Sequence, residues 1–110
     1  VNKLNTWQKL MASTSEHIER GSLLRFAAGY PFEEYVVMMV CEAPDKSGRL
    51  GLIAISGYKA GINCYVVFPE EASPSQLSTR WLIDNWHNGV WPGGDLSNVE
   101  FRAPLEAHQI

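Results

Sequence analysis

An α+β fold, an antiparallel sheet of about four or five strands with one helix packed on a face, is predicted by three observations. Three apolar runs, Tyr35 to Cys41, Leu50 to Ser56 and Ile62 to Phe68, are rich in strand-forming residues. The links between them are short and turn-rich, which suits antiparallel neighbours; parallel strands need long crossovers. The stretch from Ser78 to about Asn88 places Leu82 and Trp86 four apart with Ile83 beside them, the spacing of a helix face.

The elements follow in order. Leu4, Trp7, Leu10 and Met11 have helical spacing, so a short N-terminal helical segment is expected within 1–21. Ser13-Thr14-Ser15-Glu16 offers a second helix start, and Gly21 a stop. Ser22 to Ala27 is a short strand. Gly29-Tyr30-Pro31-Phe32 is a break, because Pro31 restricts itself and Tyr30. Tyr35 to Cys41 is apolar on both faces, as expected of a central strand with both sides covered or with one side reserved for a partner. Pro44 to Gly48 is a turn, Leu50 to Ser56 the next strand, and Gly57 to Gly61 a second turn. In Ile62 to Phe68 the alternation puts Ile62, Cys64, Val66 and Phe68 on one face. A polar connector, Pro69 to Ser75, leads to a helix capped by Ser78 and stopped by Gly89. Trp91-Pro92-Gly93-Gly94-Asp95 turns the chain into a last strand, Asn98 to Ala103, and the residues from Pro104 onward form a tail. The 110 residues read as one domain, with 22–103 as sheet plus helix and 104–110 as tail.

Composition narrows the function. The chain is 45% hydrophobic, enough for a core without a metal or disulfide staple. Its net charge is −3, and its lysines and arginines are scattered singly rather than gathered in the basic stripe of a nucleic-acid binder. An acidic balance suits a basic partner. No window reaches the ~20 apolar residues of a membrane span, and no basic-then-apolar leader opens the chain. The opening on Val1 rather than Met implies that residues precede it. In a three-strand meander, Cys41 and Cys64 stand two strand spacings apart, about 9.5 Å, beyond disulfide reach. They read as buried free thiols in a reducing cytoplasm.

Candidate chemistry is sparse. His17, His87 and His108 lack metal-ligand spacing, no CxxC or HxxxH pattern occurs, and no cofactor is indicated. Cys64, His87 and Asp84 sketch a nucleophile set for a small hydrolase. Cys64, however, shares a face with Ile62, Val66 and Phe68, the setting of a small hydrophobe rather than of an activated thiolate. A small-ligand or scaffold module is a second alternative, with a cavity lined by Val37, Met39 and Ile53. The paired acids Glu33-Glu34 and Glu70-Glu71 sit at element edges, where solvated termini are the ordinary outcome. Gly57 to Gly61 and Gly93-Gly94-Asp95 lack the phosphate-cradling pattern, and a lysine placed as Lys59 is in the first more often keeps a turn soluble than meets a phosphate. Trp86 belongs to a core stripe with Leu82 and Val90. Trp81 lies about 100° of helix rotation from Leu82, at the margin where interface aromatics occur.

Five segments occur together in order: Leu24-Arg25-Phe26, Pro31-Phe32-Glu33, the strand Val36 to Val40, Ser56-Gly57-Tyr58-Lys59-Ala60-Gly61, and Ser78 to Trp86. This pattern resembles the Immunity protein 45 family over about Ser22 to Val99. Val90 to Asp95 departs from the family pattern, in which a cysteine follows the proline. The resemblance implies a non-catalytic cytoplasmic protein of a polymorphic-toxin or contact-dependent growth inhibition system. Such a protein binds the C-terminal domain of a cognate toxin, often a nuclease with a basic cleft. On that reading Glu33, Glu34, Tyr58, Lys59, Trp81, Asp84, Trp91 and Asp95 are the expected contact residues.

Overall fold

The computed structural model describes residues 6–30, 32–72 and 76–109. Eight strands and two short helices follow in order: β1 (Gln8–Lys9), β2 (His17–Ile18), β3 (Leu23–Ala27), β4 (Tyr35–Glu42), β5 (Leu50–Ala54), β6 (Val66–Val67), β7 (Leu77–Ser78), α1 (Thr79–Asp84), α2 (Trp86–Gly89) and β8 (Glu100–Arg102). Six strands form one antiparallel sheet in the order β1-β8-β3-β4-β5-β6; β2 and β7 pair separately. The α+β reading holds, with more strands and shorter helices than expected.

β4 sits inside the sheet, flanked by β3 and β5. Its burial alternates: Val36, Met38 and Val40 are buried, while Val37, Met39 and Cys41 are half-buried. Register carries that alternation sideways. Leu24 lies opposite both Met38 and Phe101, and Val40 lies opposite Leu52. These inner residues meet Leu82, Trp86 and Val90 in one core, and Trp86 stands edge-on to Phe26 at 4.9 Å. Leu82, Trp86 and Val90 are thus the core stripe that their spacing indicates. On the outer face Arg25 pairs with Glu100 at 2.9 Å, directly opposite in register, and Trp7 stacks on the guanidinium at 4.0 Å.

Three expectations are corrected. The N-terminal helical segment is instead β1, a 3₁₀ turn at Leu10–Ala12, and β2. The reason is non-local. Gln8 pairs with Phe101, and Leu10 donates its N–H to Val99 O, so distant backbone groups satisfy this segment. Leu4 of that expected helix lies outside the described residues, as do Pro31 of the expected break and Ser73 to Ser75 of the connector. The helix from Ser78 to Asn88 is divided at Asn85, whose amide nitrogen and side chain both donate to Trp81 O. A side chain competing for a helical carbonyl is a familiar cause of such interruptions. Ser78 does cap α1, accepting from Trp81 N at 3.1 Å.

The third correction concerns Ile62 to Phe68. Only Val66–Val67 is strand; Ile62 is exposed and Phe68 fully buried. Val66 lies opposite Leu52 on the inner face, whereas Cys64 Sγ stands 3.9 Å from Cys41 Sγ on the other. The cysteines are free and half-buried, but far nearer than two strand spacings would place their sulfurs. Gly51 permits this. A Cβ there would collide with the Val66 carbonyl and come within 2.8 Å of Cys64 Sγ. Gly51→Ala is expected to cost about 1–3 kcal/mol. Urea denaturation checks this, and an unchanged midpoint would show that β6 yields freely.

Candidate functional site

Three loops converge at one end of the sheet: the β3–β4 loop, the long β5–β6 loop, and the segment after α2. Each is anchored by identifiable bonds. Gly57 adopts φ +72°, and the Glu33 carboxylate packs against it where a Cβ would collide. That carboxylate accepts the Tyr58 N–H at 3.2–3.3 Å, so Glu33 latches the first loop to the second. Tyr65 donates its hydroxyl to Val90 O at 2.8 Å, joining the second loop to the chain after α2. Phe32, Tyr65 and Trp91 pack against one another edge-on or tilted, at 5.6, 5.7 and 6.3 Å between ring centroids.

The exposed surface of these loops and of the adjoining strand ends is apolar and aromatic. Of the eight exposed large hydrophobic residues among those described, six come from these loops and their adjoining strand ends: Tyr30, Tyr35, Ile55, Tyr58, Ile62 and Tyr65. Tyr30 is 96% exposed and Tyr58 61%, so neither side chain contributes appreciably to the core. Lys59 Nζ lies 5.8 Å from the Tyr58 ring. Between Phe32, Lys59, Ile62, Cys64 and Tyr65 runs an open groove of about 340 Å³. Exposed tyrosines and aliphatics on turns braced from beneath make a surface suited to protein contact.

The expected contact residues fall into two groups. Glu33, Glu34, Tyr58, Lys59, Trp91 and Asp95 belong to the converging loops. Trp91 is half-buried as part of the aromatic brace. Asp95 caps a 3₁₀ turn, accepting from Ser97 N at 2.9 Å. Hydrogen bonding from Ser97, aided by His87 and Lys9, holds its carboxyl below the usual range. Trp81 and Asp84 lie on α1. Trp81 packs edge-on against Phe68 at 5.7 Å, and Asp84 pairs with Arg80 at 3.5 Å. Tyr30, Tyr35, Ile55, Ile62 and Tyr65 escaped the sequence reading. The glycine-bounded breaks at Gly29 and at Gly57 to Gly61 were the available signal, since apolar residues inside turns have no core to serve.

The residues of the hydrolase alternative have separate partners. Cys64 meets Cys41 and donates toward Val66 O, His87 Nε2 meets Gly94 O at 3.2 Å, and Asp84 pairs with Arg80. A nucleophile set needs its members bonded to one another. Val37, Met39 and Ile53, of the small-ligand alternative, share the outer sheet face opposite the helices. No helix among the described residues is long and apolar enough to cross a membrane.

The model of one protein family, described as Immunity protein 45, matches residues 10–101. The match begins twelve residues before the segment in which the motifs carry the resemblance and so takes in β2 and the 3₁₀ turn. Immunity proteins in general neutralise toxins and are generally non-catalytic. No curated protein and no solved structure matches the chain.

Tyr65 offers a test of the brace. Removing its bond to Val90 O in Tyr65→Phe is expected to cost about 0.5–1.5 kcal/mol. Burial also raises the Tyr65 hydroxyl above the ordinary tyrosine range. The folded state then holds this proton more tightly than the unfolded chain. Its contribution is complete below about pH 10 and is lost as pH rises through the folded value. Wild type should therefore lose stability above pH ~10 more steeply than Tyr65→Phe. Parallel denaturation curves would contradict the assignment.

Proposed function

The chain belongs to the Immunity protein 45 family, and we propose that it neutralises a cognate toxin domain by stoichiometric binding through the three-loop surface. The observation that carries the location is the gathering of Tyr30, Tyr35, Ile55, Tyr58, Ile62 and Tyr65 at one end of the sheet. Tyrosines are favoured anchors at interfaces: each buries a large rigid ring at small entropic cost and keeps a hydroxyl for hydrogen bonding. Apolar area removed from water supplies most of the affinity on this reading.

The partner is a basic toxin domain, a nuclease delivered by contact-dependent inhibition, met in the cytoplasm. Support comes from the net charge of −3 and from Glu33 and Glu34 beside the aromatic surface. The two acids divide the work. Glu33 is held by the Tyr58 amide and shapes the loop, while exposed Glu34 and Asp95 steer the approach. Steering charges act chiefly on the association rate and lose their effect as salt rises. No catalytic step and no cofactor enter this mechanism, and Trp81 and Asp84 form a secondary contact along α1.

The test is co-purification with the C-terminal domain of the toxin encoded beside this chain, followed by binding kinetics. Tyr58→Ala and Ile62→Ala should each weaken binding, chiefly through faster dissociation, by about tenfold or more. Glu34→Lys should slow association and flatten its salt dependence. Full affinity in both alanine variants would move the interface elsewhere. Failure of the wild-type chain to bind or protect against that toxin would overturn the function itself.

A further inference from the structure

Cys41 and Cys64 lie 23 positions apart in sequence, yet their Sγ atoms stand 3.9 Å apart. Gly51 creates that approach. Cys41 is opposite Gly51 in the β4–β5 register, so both project to the same face. Cys64 Sγ occupies the space a Gly51 Cβ would claim, 2.8 Å from that position. The two sulfurs therefore meet above a residue that has no side chain. Both cysteines are only partly buried, and Cys64 lines the open groove beside Phe32, Lys59 and Ile62. Solvent reaches the pair.

We propose that Cys41 and Cys64 form a binding site for a soft, low-coordinate d¹⁰ cation of the Cu(I) class. Metal–thiolate bonds are about 2.3 Å long. Two such bonds spanning the observed 3.9 Å meet at roughly 115°, close to a trigonal arrangement with one position left for a third ligand. Met39 precedes Cys41 by two residues in β4 and shares its face, which puts a soft thioether on the same side of the sheet. Softness and low coordination number select the ion. A structural zinc site needs four ligands, and among the described residues no group of three or more His, Cys, Asp or Glu could hold a metal. Two thiolates suffice for a monovalent soft cation.

The alternative chemistry of a close thiol pair is oxidation to a disulfide, and the surroundings oppose it. A disulfide needs an oxidant and would draw the sulfurs from 3.9 Å to about 2.0 Å, away from the contact Cys64 makes with the Val66 carbonyl. A soft cation deprotonates its ligands as it binds. Two S–H bonds break, two metal–sulfur bonds form, two protons pass to solvent, and no electron is transferred.

The experiment titrates the reduced full chain with Ag(I), a redox-inert probe of the same class, without oxygen. Native mass spectrometry reads stoichiometry, and iodoacetamide alkylation reads thiol protection. One silver ion per chain with both thiols protected is the expected result. In competition with a thiol-free chelator, Cys41→Ser and Cys64→Ser should each bind at least about tenfold more weakly. Cu(I) presented from a competing chelator should show the same stoichiometry. Alkylation of the wild-type chain keeps the test decisive should a serine variant misfold. Two silver ions per chain, protection of one thiol alone, or undiminished binding by a folded serine variant would overturn the proposal.

Discussion

The alternation along β4 is the constraint on which the rest of the molecule depends. Val36, Met38 and Val40 face the helices, and each is at most 2% exposed. In a strand, a one-residue slip exchanges the faces completely. It would carry Tyr35, Val37 and Cys41 into the core and expel the residues that now fill it. The pairings with β3 and β5 make this error more costly, because Leu24, Phe26, Leu52 and Ala54 are committed to the same side. The register of β4 thereby fixes where its flanking loops emerge, and so where Glu33 meets Gly57 and Tyr58.

The three-loop surface is consequently held in place by bonds and ring contacts between its loops. The Glu33 latch, the Tyr65 hydroxyl bond and the Phe32–Tyr65–Trp91 cluster hold the loops from beneath. Tyr30, Tyr58 and Ile62 are then displayed on a rigid base. Preorganisation of this kind lowers the ordering cost of binding. It also separates two roles that a list of charged and aromatic residues would merge: Glu33 and Trp91 build the surface, while Tyr58 and Glu34 occupy it.

Much of the fold was legible in local pattern, and the failures share one physical cause. β3, β5 and β8, and all of β4 but Glu42, fall within the stretches that apolar runs and turn residues mark as strands, because those signals are local. The segment from Trp7 to Met11 has helical spacing, yet Leu10 is fully buried and Met11 is 54% exposed. Its conformation is set by Val99 and Phe101, some ninety residues away, which periodicity does not register. The displacement of Cys64 depends on Gly51, a residue whose weakness as a strand former was noticeable while the space it leaves was not. At the candidate site, Tyr58 and Lys59 were marked by their glycine-bounded turn. Ile62 reads as the start of a strand and Tyr30 as part of a turn, and neither setting by itself marks a contact residue.

The most direct measurement is hydrogen exchange of the backbone amides, free and in complex with the toxin domain. The account predicts slowed exchange in 28–35 and 55–65 on binding, with α1 changed less. Protection confined to α1 or to the β1–β8 edge, with the loop amides unaffected, would contradict it.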